Sequence, residues 1–375
     1  MANNDVSSKL LGSLQNKYGS ASIMLAKDIP RRPAISTGTL ALDYATGIGG
    51  FPQDRVIEIA GAEGTGKTTL GLLVMEQFLD AQPKRGALIM DVEHKLSPEW
   101  ISMLVGEDKL EHQVLYAQPA SIEEATNIYK AAVRSGVVCF AMLDSIGGAP
   151  TARRNDDAEV AGYGGNALGV GEFARTANAC SARYSCLTVG INQIRADMSG
   201  YNRHMVPGGL AWLHAPVLRL QLKKGKGKKI VKVHNEDYQI GYEIACKIVK
   251  NGAAAPGRTA SWWFYNVPTE EYGFGVDRVE EAVRLGLLTG VIERKGAWYL
   301  YPGLPTKDSQ VQGQEKLLDL VRDNKALRDQ IGADVTAMLQ SGEFGAQVAP
   351  MSDPDAPIDT PGLHNVVDVL GEGDD

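Results

Sequence analysis

From residue 55 onward, apolar runs alternate with amphipathic stretches. Residues 55–60 (RVIEIA), 86–93 (GALIMDVE), 137–145 (VVCFAMLDS) and 186–193 (CLTVGINQ) are near-continuous apolar runs, the last three ending in a polar side chain. Such runs predict strands covered on both faces. Between them the period changes to that of helices at 67–81, 97–105 and 121–136. Ser97 followed by Pro98 is a helix start, and Ser121 with Glu124 forms a capping-box pattern. Strands alternating with helices predict an α/β protein with a mostly parallel central sheet. Ahead of it, residues 8–18 put Leu10, Leu11, Leu14 and Tyr18 on one helical stripe whose apolar face needs a partner.

After Pro216 the pattern turns to strict alternation, which predicts antiparallel strands extending the sheet. Five lysines in 223–229 (KKGKGKK) place a basic hairpin tip there, read either as a solvated turn or as a path for nucleic acid. Residues 275–340 read as helix, short hairpin, helix, a small α+β C-terminal domain. The predicted organisation is 1–32 N-terminal helix and linker, 33–268 core, 269–342 small domain and 343–375 acidic tail. One stretch fits no element. After the run ending in Gln193, about a dozen residues (RADMSGYNRHMVPGG) show no hydrophobic period, and loops of that length are usually functional.

Composition narrows the class. The chain of 375 residues is 44% hydrophobic and 22% charged, has no apolar run long enough for a membrane span, and opens without a basic or apolar leader. Four cysteines without Cys-x-x-Cys spacing predict reduced thiols in a cytoplasmic protein and no structural metal. The net charge of −7 argues against nucleic acid until its placement is seen. Residues 351–375 hold seven acids and no Lys or Arg, so the rest of the chain is neutral. Such a tail serves solubility or mimics DNA as a brake on a basic surface.

The chemistry centres on Gly61-Ala62-Glu63-Gly64-Thr65-Gly66-Lys67-Thr68, with Thr69 next, between a predicted strand and a predicted helix. That is the context a phosphate-binding loop requires. Glycines let backbone N–H groups converge on phosphate oxygens, and the helix N-terminus adds partial positive charge. Lys67 reaches the β- and γ-phosphates, and Thr68 ligates Mg²⁺. Asp144 ends its apolar run as a second Mg²⁺ group, against the alternative of a helix cap. Glu93 is preferred to Asp91 as the base that activates water, because it lies further out on the rim. Gln193 ends a fourth run and is placed to sense the γ-phosphate. These residues describe a Mg²⁺-dependent NTPase.

The segments ISTGTLALDYATGIGGFPQDRVIEIAGAEGTGKTTL, DVEHKLSPEW, LDS, INQIR, PGGLAW and KIVKNGAAAP resemble, in order and spacing, the RecA family of DNA strand-exchange recombinases, and ERKGAWYLY resembles the start of that family's C-terminal domain. The resemblance spans about residues 5–340. It implies a RecA-like P-loop ATPase core and an ATP- and Mg²⁺-dependent helical filament on single-stranded DNA that pairs it with homologous duplex. It also implies roles in recombination, repair of damage and the SOS response, and partners that bind single strands or load the filament. By the same resemblance Gln193 couples the γ-phosphate to a second DNA loop after it, and a first DNA loop lies near residues 155–166, including Gly164 and Gly165. Lys250 contacts phosphate from the neighbouring protomer, and the N-terminal helix exchanges between protomers.

The match has departures. Gly252 stands where many members carry a second trans lysine, with Lys247 a substitute. Trp100 takes the place of the adenine-stacking Tyr, which its larger ring preserves. Ser97 replaces an acidic residue three positions before it. These mark a divergent member, of bacterial or phage origin. In the second loop, Arg195, Arg203 and the N–H groups of Gly208 and Gly209 suit phosphate, and Tyr201 or Met205 suits insertion between bases. Trp212 reads as core rather than a stacking platform. A hexameric RecA-fold DNA helicase and a non-catalytic ATP- and DNA-binding filament protein are the competing functions.

Overall fold

The computed structural model describes residues 6–19, 23–28, 33–151, 165–194, 208–233, 236–269 and 272–341. The chain divides into two units, Met1–Pro33 and Ala34–Asp375. In the first, α1 (Val6–Tyr18) carries Gln15, whose Nε2 donates to the Ile23 carbonyl at 2.9 Å. Leu10 and Tyr18 on its predicted stripe are exposed.

The second unit opens with a short ribbon, β1 (Ala34–Ile35) paired with β2 (Phe51–Pro52), around α2 (Leu40–Thr46). The main body alternates β3 (Val56–Gly61), α3 (Lys67–Ala81), β4 (Gly86–Asp91), α4 (Pro98–Val105), α5 (Glu107–His112), β5 (Val114–Ala117), α6 (Ile122–Arg134), β6 (Val138–Asp144), α7 (Gly165–Tyr184) and β7 (Leu187–Gln193). Then come α8 (Gly209–His214), β8 (Leu218–Val233), β9 (Glu236–Asn251), β10 (Thr259–Tyr265) and β11 (Gly275–Val276). Nine strands form one sheet in the order β11-β10-β9-β8-β3-β7-β6-β4-β5. It is parallel from β8 to β5 and antiparallel from β8 outward to β11. The expected mixed architecture is what the chain adopts.

The apolar runs are continuous because each strand feeds two cores. Ile57, Ile89, Met142 and Val189 pack with α3, while Val56, Leu88, Leu143 and Ala141 face α6 and α7. The helix starts follow the sequence signals. Ser97 Oγ accepts from Trp100 N at 3.2 Å, and Ser121 Oγ accepts from Glu124 N at 3.2 Å.

Two sequence expectations change in detail. The lysine run is not at a hairpin tip. It lies in the middle of β8, which continues to Val233. Gly225 and Gly227 sit within a register shift between Lys224 and Lys228, where a Cβ would stand 2.6 Å from Glu243 and 2.3 Å from the Trp263 ring. These glycines mark close packing and not a turn. The C-terminal region also gains elements. After α9 (Arg278–Thr289), strands β12 (Glu293–Lys295) and β13 (Trp298–Leu300) are joined by a third, β14 (Gln310–Gln312). The final helix is two, α10 (Gln314–Asp323) and α11 (Lys325–Ser341), because Asn324 leaves the helical region and its side chain accepts from Leu327 N at 3.1 Å.

This region shares its apolar core with the large sheet, through Val283, Leu285, Val321 and Ile331. A buried carboxylate joins them. Glu281 of α9 accepts from Thr39 Oγ1, from Leu40 N at 3.1 Å and from Ala41 N at 3.2 Å, and so caps α2. Burial pushes its carboxyl up to about 7 against those hydrogen bonds. Burial likewise pushes Asp43 up to about 7, although Ser36 and Thr37 donate to it.

Candidate nucleotide site at the parallel strand ends

The parallel strands β3, β4, β6 and β7 end on one edge of the sheet, where α/β folds bind ligands. Gly61 ends β3 against β8, and its Cβ position lies 2.7 Å from the Leu222 carbonyl, so no larger residue fits. Gly64 (φ 70°) and Gly66 (φ 85°) adopt the left-handed region, which turns the loop onto the start of α3. Thr65 Oγ1 donates to the Ala62 carbonyl at 2.9 Å and is buried, fixing the loop's curve. Lys67 Nζ donates to the same carbonyl at 2.7 Å. Burial lowers the Lys67 amine, and the Asp144, Glu93 and Glu63 carboxylates oppose that.

Thr68 Oγ1 donates to Asp144 Oδ2 at 2.6 Å. Asp144 caps no helix. It is the last residue of β6, held in register between Asp91 and Ile191. Burial pushes its carboxyl up to about 6, against the Thr68 hydrogen bond and with the Glu93 charge adding to the rise. Among the described residues no group of three or more His, Cys, Asp or Glu is placed to hold a metal. The hydroxyl and carboxylate pair still fits Mg²⁺, a hard cation that keeps its waters and takes few protein ligands beside substrate phosphates.

Asp91 and Glu93, the two candidates for the base, differ in commitment. Strand β4 stops at Asp91 because that buried carboxylate captures the backbone: it accepts from Glu93 N (3.0 Å), Lys95 N (2.9 Å) and Leu96 N (3.0 Å), and from the Tyr116 hydroxyl (2.8 Å). Its lone pairs are spent on shaping the turn. Glu93 faces the cavity. It accepts from Ser145 Oγ and from Gln193 Nε2 at 3.2 Å, and pairs with Lys95 Nζ at 2.6 Å. Burial raises the Glu93 carboxyl, but the Lys95 and Ser145 hydrogen bonds outweigh it and hold it below the usual carboxylate range.

Glu63, Gly64, Lys67, Thr68, Asp91, Glu93, Trp100, Asp144 and Gln193 line one cavity of about 260 Å³, with Lys95 and Ser145. Trp100 packs at its edge against Phe264 and Phe274, with ring centroids 6.5 and 5.8 Å away. Lys250 is not among the lining residues of its own chain; its Nζ donates to the His214 carbonyl at 2.9 Å. Lys95 and Ser145 escaped the sequence reading. The only signal for Lys95 was its spacing of two from Glu93, which a loop does not translate into a shared side.

Gln193 ends β7, and Gly208 (φ 121°) and Gly209 (φ 70°) begin α8. Arg195, Tyr201, Arg203, Met205 and Gly164 lie outside the described residues, and Gly165 opens α7. A buried cluster joins the flanks of the second segment. Glu58 of β3 accepts from Asn192 Nδ2 at 2.9 Å, Trp212 Nε1 at 2.7 Å and Arg219 Nε at 2.5 Å. Trp212 is therefore a core side chain, 1% exposed.

A mixed sheet with a glycine loop, a Thr–Asp pair and a carboxylate–amide pair at its parallel strand ends defines a protein of the RecA-like P-loop α/β class. Residues 6–266 match the model of the RecA N-terminal domain. Protein RecA of Rhodospirillum centenum is 32% identical over 354 residues, covering 92% of this chain and 93% of that protein. Protein RecA of Thermus thermophilus is 33% identical over 331 residues, covering 87% and 92%. The chain belongs to the RecA family.

Proposed function

We propose that this chain is an ATP-dependent homologous recombinase. It assembles as a helical filament on single-stranded DNA, pairs that strand with homologous duplex, and hydrolyses ATP in a Mg²⁺-dependent, DNA-stimulated reaction. The observation that carries this reading is the contact between Gln193 and Glu93. It joins the rim group best placed to act on water to the last residue before the segment read as a DNA loop.

The loop N–H groups and Lys67 hold the phosphates, and Lys67 exchanges the Ala62 carbonyl for phosphate oxygens. Thr68 and Asp144 would hold Mg²⁺, which neutralises phosphate charge. Glu93 orients and accepts a proton from water. Gln193 exchanges Glu93 for the γ-phosphate, and that exchange shifts the start of residues 194–208. The N–H groups of Gly208 and Gly209, with Arg195 and Arg203, take DNA phosphates, Tyr201 or Met205 enters the base stack, and Gly164 and Gly165 belong to the first loop. Trp100 stacks on adenine, and Lys250 acts on the neighbouring protomer's nucleotide.

The exposed Leu10 and Tyr18 of α1 support protomer exchange, and the divisions 1–32, 33–268, 269–342 and 343–375 belong to the same proposal. So do a cytoplasmic site of action, loading partners and a part in the SOS response. Among the described residues no helix is long and apolar enough to cross a membrane.

The test is ATP hydrolysis with and without single-stranded DNA, joined to a homologous pairing assay. DNA-stimulated hydrolysis with pairing is expected. Directional unwinding without pairing would point to a motor, and filaments with neither activity to a non-catalytic binder.

A further inference from the structure

The rim holds a cation that the proposed mechanism does not use. Lys95 lines the cavity beside Lys67, and its Nζ lies 2.6 Å from Glu93 Oε2. Its placement is built into the turn. Asp91 gathers the N–H groups of Glu93, Lys95 and Leu96, and His94 between them takes the left-handed region at φ 54°. A non-glycine residue there is held at a cost that the surrounding contacts must offset. The result is that Glu93 and Lys95 both reach the cavity while His94 is exposed.

The two partners are unequally fixed. The Glu93 side chain is 15% exposed and is also held by Ser145 and Gln193, whereas the Lys95 side chain is 64% exposed. The lysine is the member free to change partners. Charge balance gives it a reason to. The cavity is lined by Glu63, Asp91, Glu93 and Asp144 against only Lys67 and Lys95, so a triphosphate entering it meets more acid than base. Gly252, where a further lysine was expected from the family resemblance, cannot supply the charge. Its N–H is bonded to the Val217 carbonyl at 2.9 Å, and a Cβ there would stand 2.7 Å from Val217 Cγ2.

We propose that Lys95 is a specificity-determining cation for the terminal phosphate: it pairs with Glu93 when a diphosphate is bound and transfers to the γ-phosphate when a triphosphate is bound. The inference rests on reading the rim as an ATP site. Lys95 gives the chain, within one protomer, a cation that distinguishes ATP from ADP. It also couples that distinction to Glu93, which loses its ammonium partner only in the triphosphate state.

The test is equilibrium binding of ATPγS and of ADP to the full chain with Mg²⁺, for the parent, Lys95→Gln and Lys95→Arg. A charge-assisted contact to phosphate predicts that Lys95→Gln weakens ATPγS binding about tenfold and leaves ADP within about twofold. Lys95→Arg should restore most of the difference. Thermal melting of each variant checks the fold, which a largely exposed side chain should leave intact. Equal losses for both nucleotides, or no change in either, would overturn the proposal while the ATP site stands. A parent chain that binds neither nucleotide would overturn the site reading and this inference with it.

Discussion

At the parallel end of the sheet, β3, β4, β6 and β7 each deliver polar groups to one rim, and those groups are tied to one another: Thr68 to Asp144, Glu93 to Ser145, Gln193 and Lys95. At the antiparallel end, β8 and β9 run sixteen residues each and carry lysines along an open face. Lys226 and Lys228 are exposed, while Lys229 lies over the Trp263 and Tyr272 rings at 5.4 and 5.0 Å. The first region obtains its chemistry from position, since each rim side chain is held by a bond to another rim side chain. The second offers charge density and asks little of any one side chain. Substitutions at the rim should therefore act steeply and specifically, and those on the ribbon gradually and in proportion to charge.

The sharpest break is Glu93→Gln. Loss of a general base should lower steady-state ATP hydrolysis by about 10²–10⁴-fold while nucleotide binding persists. A Glu93→Gln chain with parental turnover would move the base elsewhere, and the spent lone pairs of Asp91 leave few candidates. On the ribbon, Lys226→Ala with Lys228→Ala should reduce the salt dependence of DNA binding by about one unit of slope per lost phosphate contact. An unchanged slope would leave those lysines as a solvated face. Lys229 is better left in place, because its ammonium is committed to two aromatic rings.

A milder effect concerns the carboxylates that fasten α2. Asp43 and Glu281 are each pushed up to about 7 by burial, whereas in the unfolded chain they titrate near 4. The folded state thus holds protons that the unfolded state releases. Their contribution is fully present below about pH 4 and is lost as pH rises through about 7. Denaturant midpoints measured from pH 5 to pH 8 should fall, and Glu281→Gln should flatten part of that slope. A parental slope in the Gln variant would assign the pH dependence elsewhere.

Much of this is legible in the amino-acid sequence. The apolar runs, the Ser97 and Ser121 caps and the glycine loop are local signals, and local signals survive folding because each depends on neighbours in sequence. What escaped depends on neighbours in space. The sequence puts both Asp91 and Glu93 at the rim and favours Glu93, but does not show why Asp91 is committed: its carboxylate captures N–H groups as far as Leu96, a five-residue reach that no periodicity encodes. Lys95 joins the rim only because His94 takes a left-handed turn. Glycines among lysines suggested a hairpin tip, yet Gly225 and Gly227 are there because Glu243 of β9 and Trp263 of β10 press on the backbone. The break between α10 and α11 was hidden because Asn324 sits within an unbroken helical period.

The central claim is that the rim commands the DNA-contacting segment through one amide, and Gln193→Ala tests it most directly. Affinity for single-stranded DNA would be measured with ATPγS and with ADP, for parent and variant alike. The account predicts that the parent binds the strand more tightly with ATPγS and that the variant loses most of that difference while still binding both nucleotides. A variant that keeps the full nucleotide-dependent difference would contradict it.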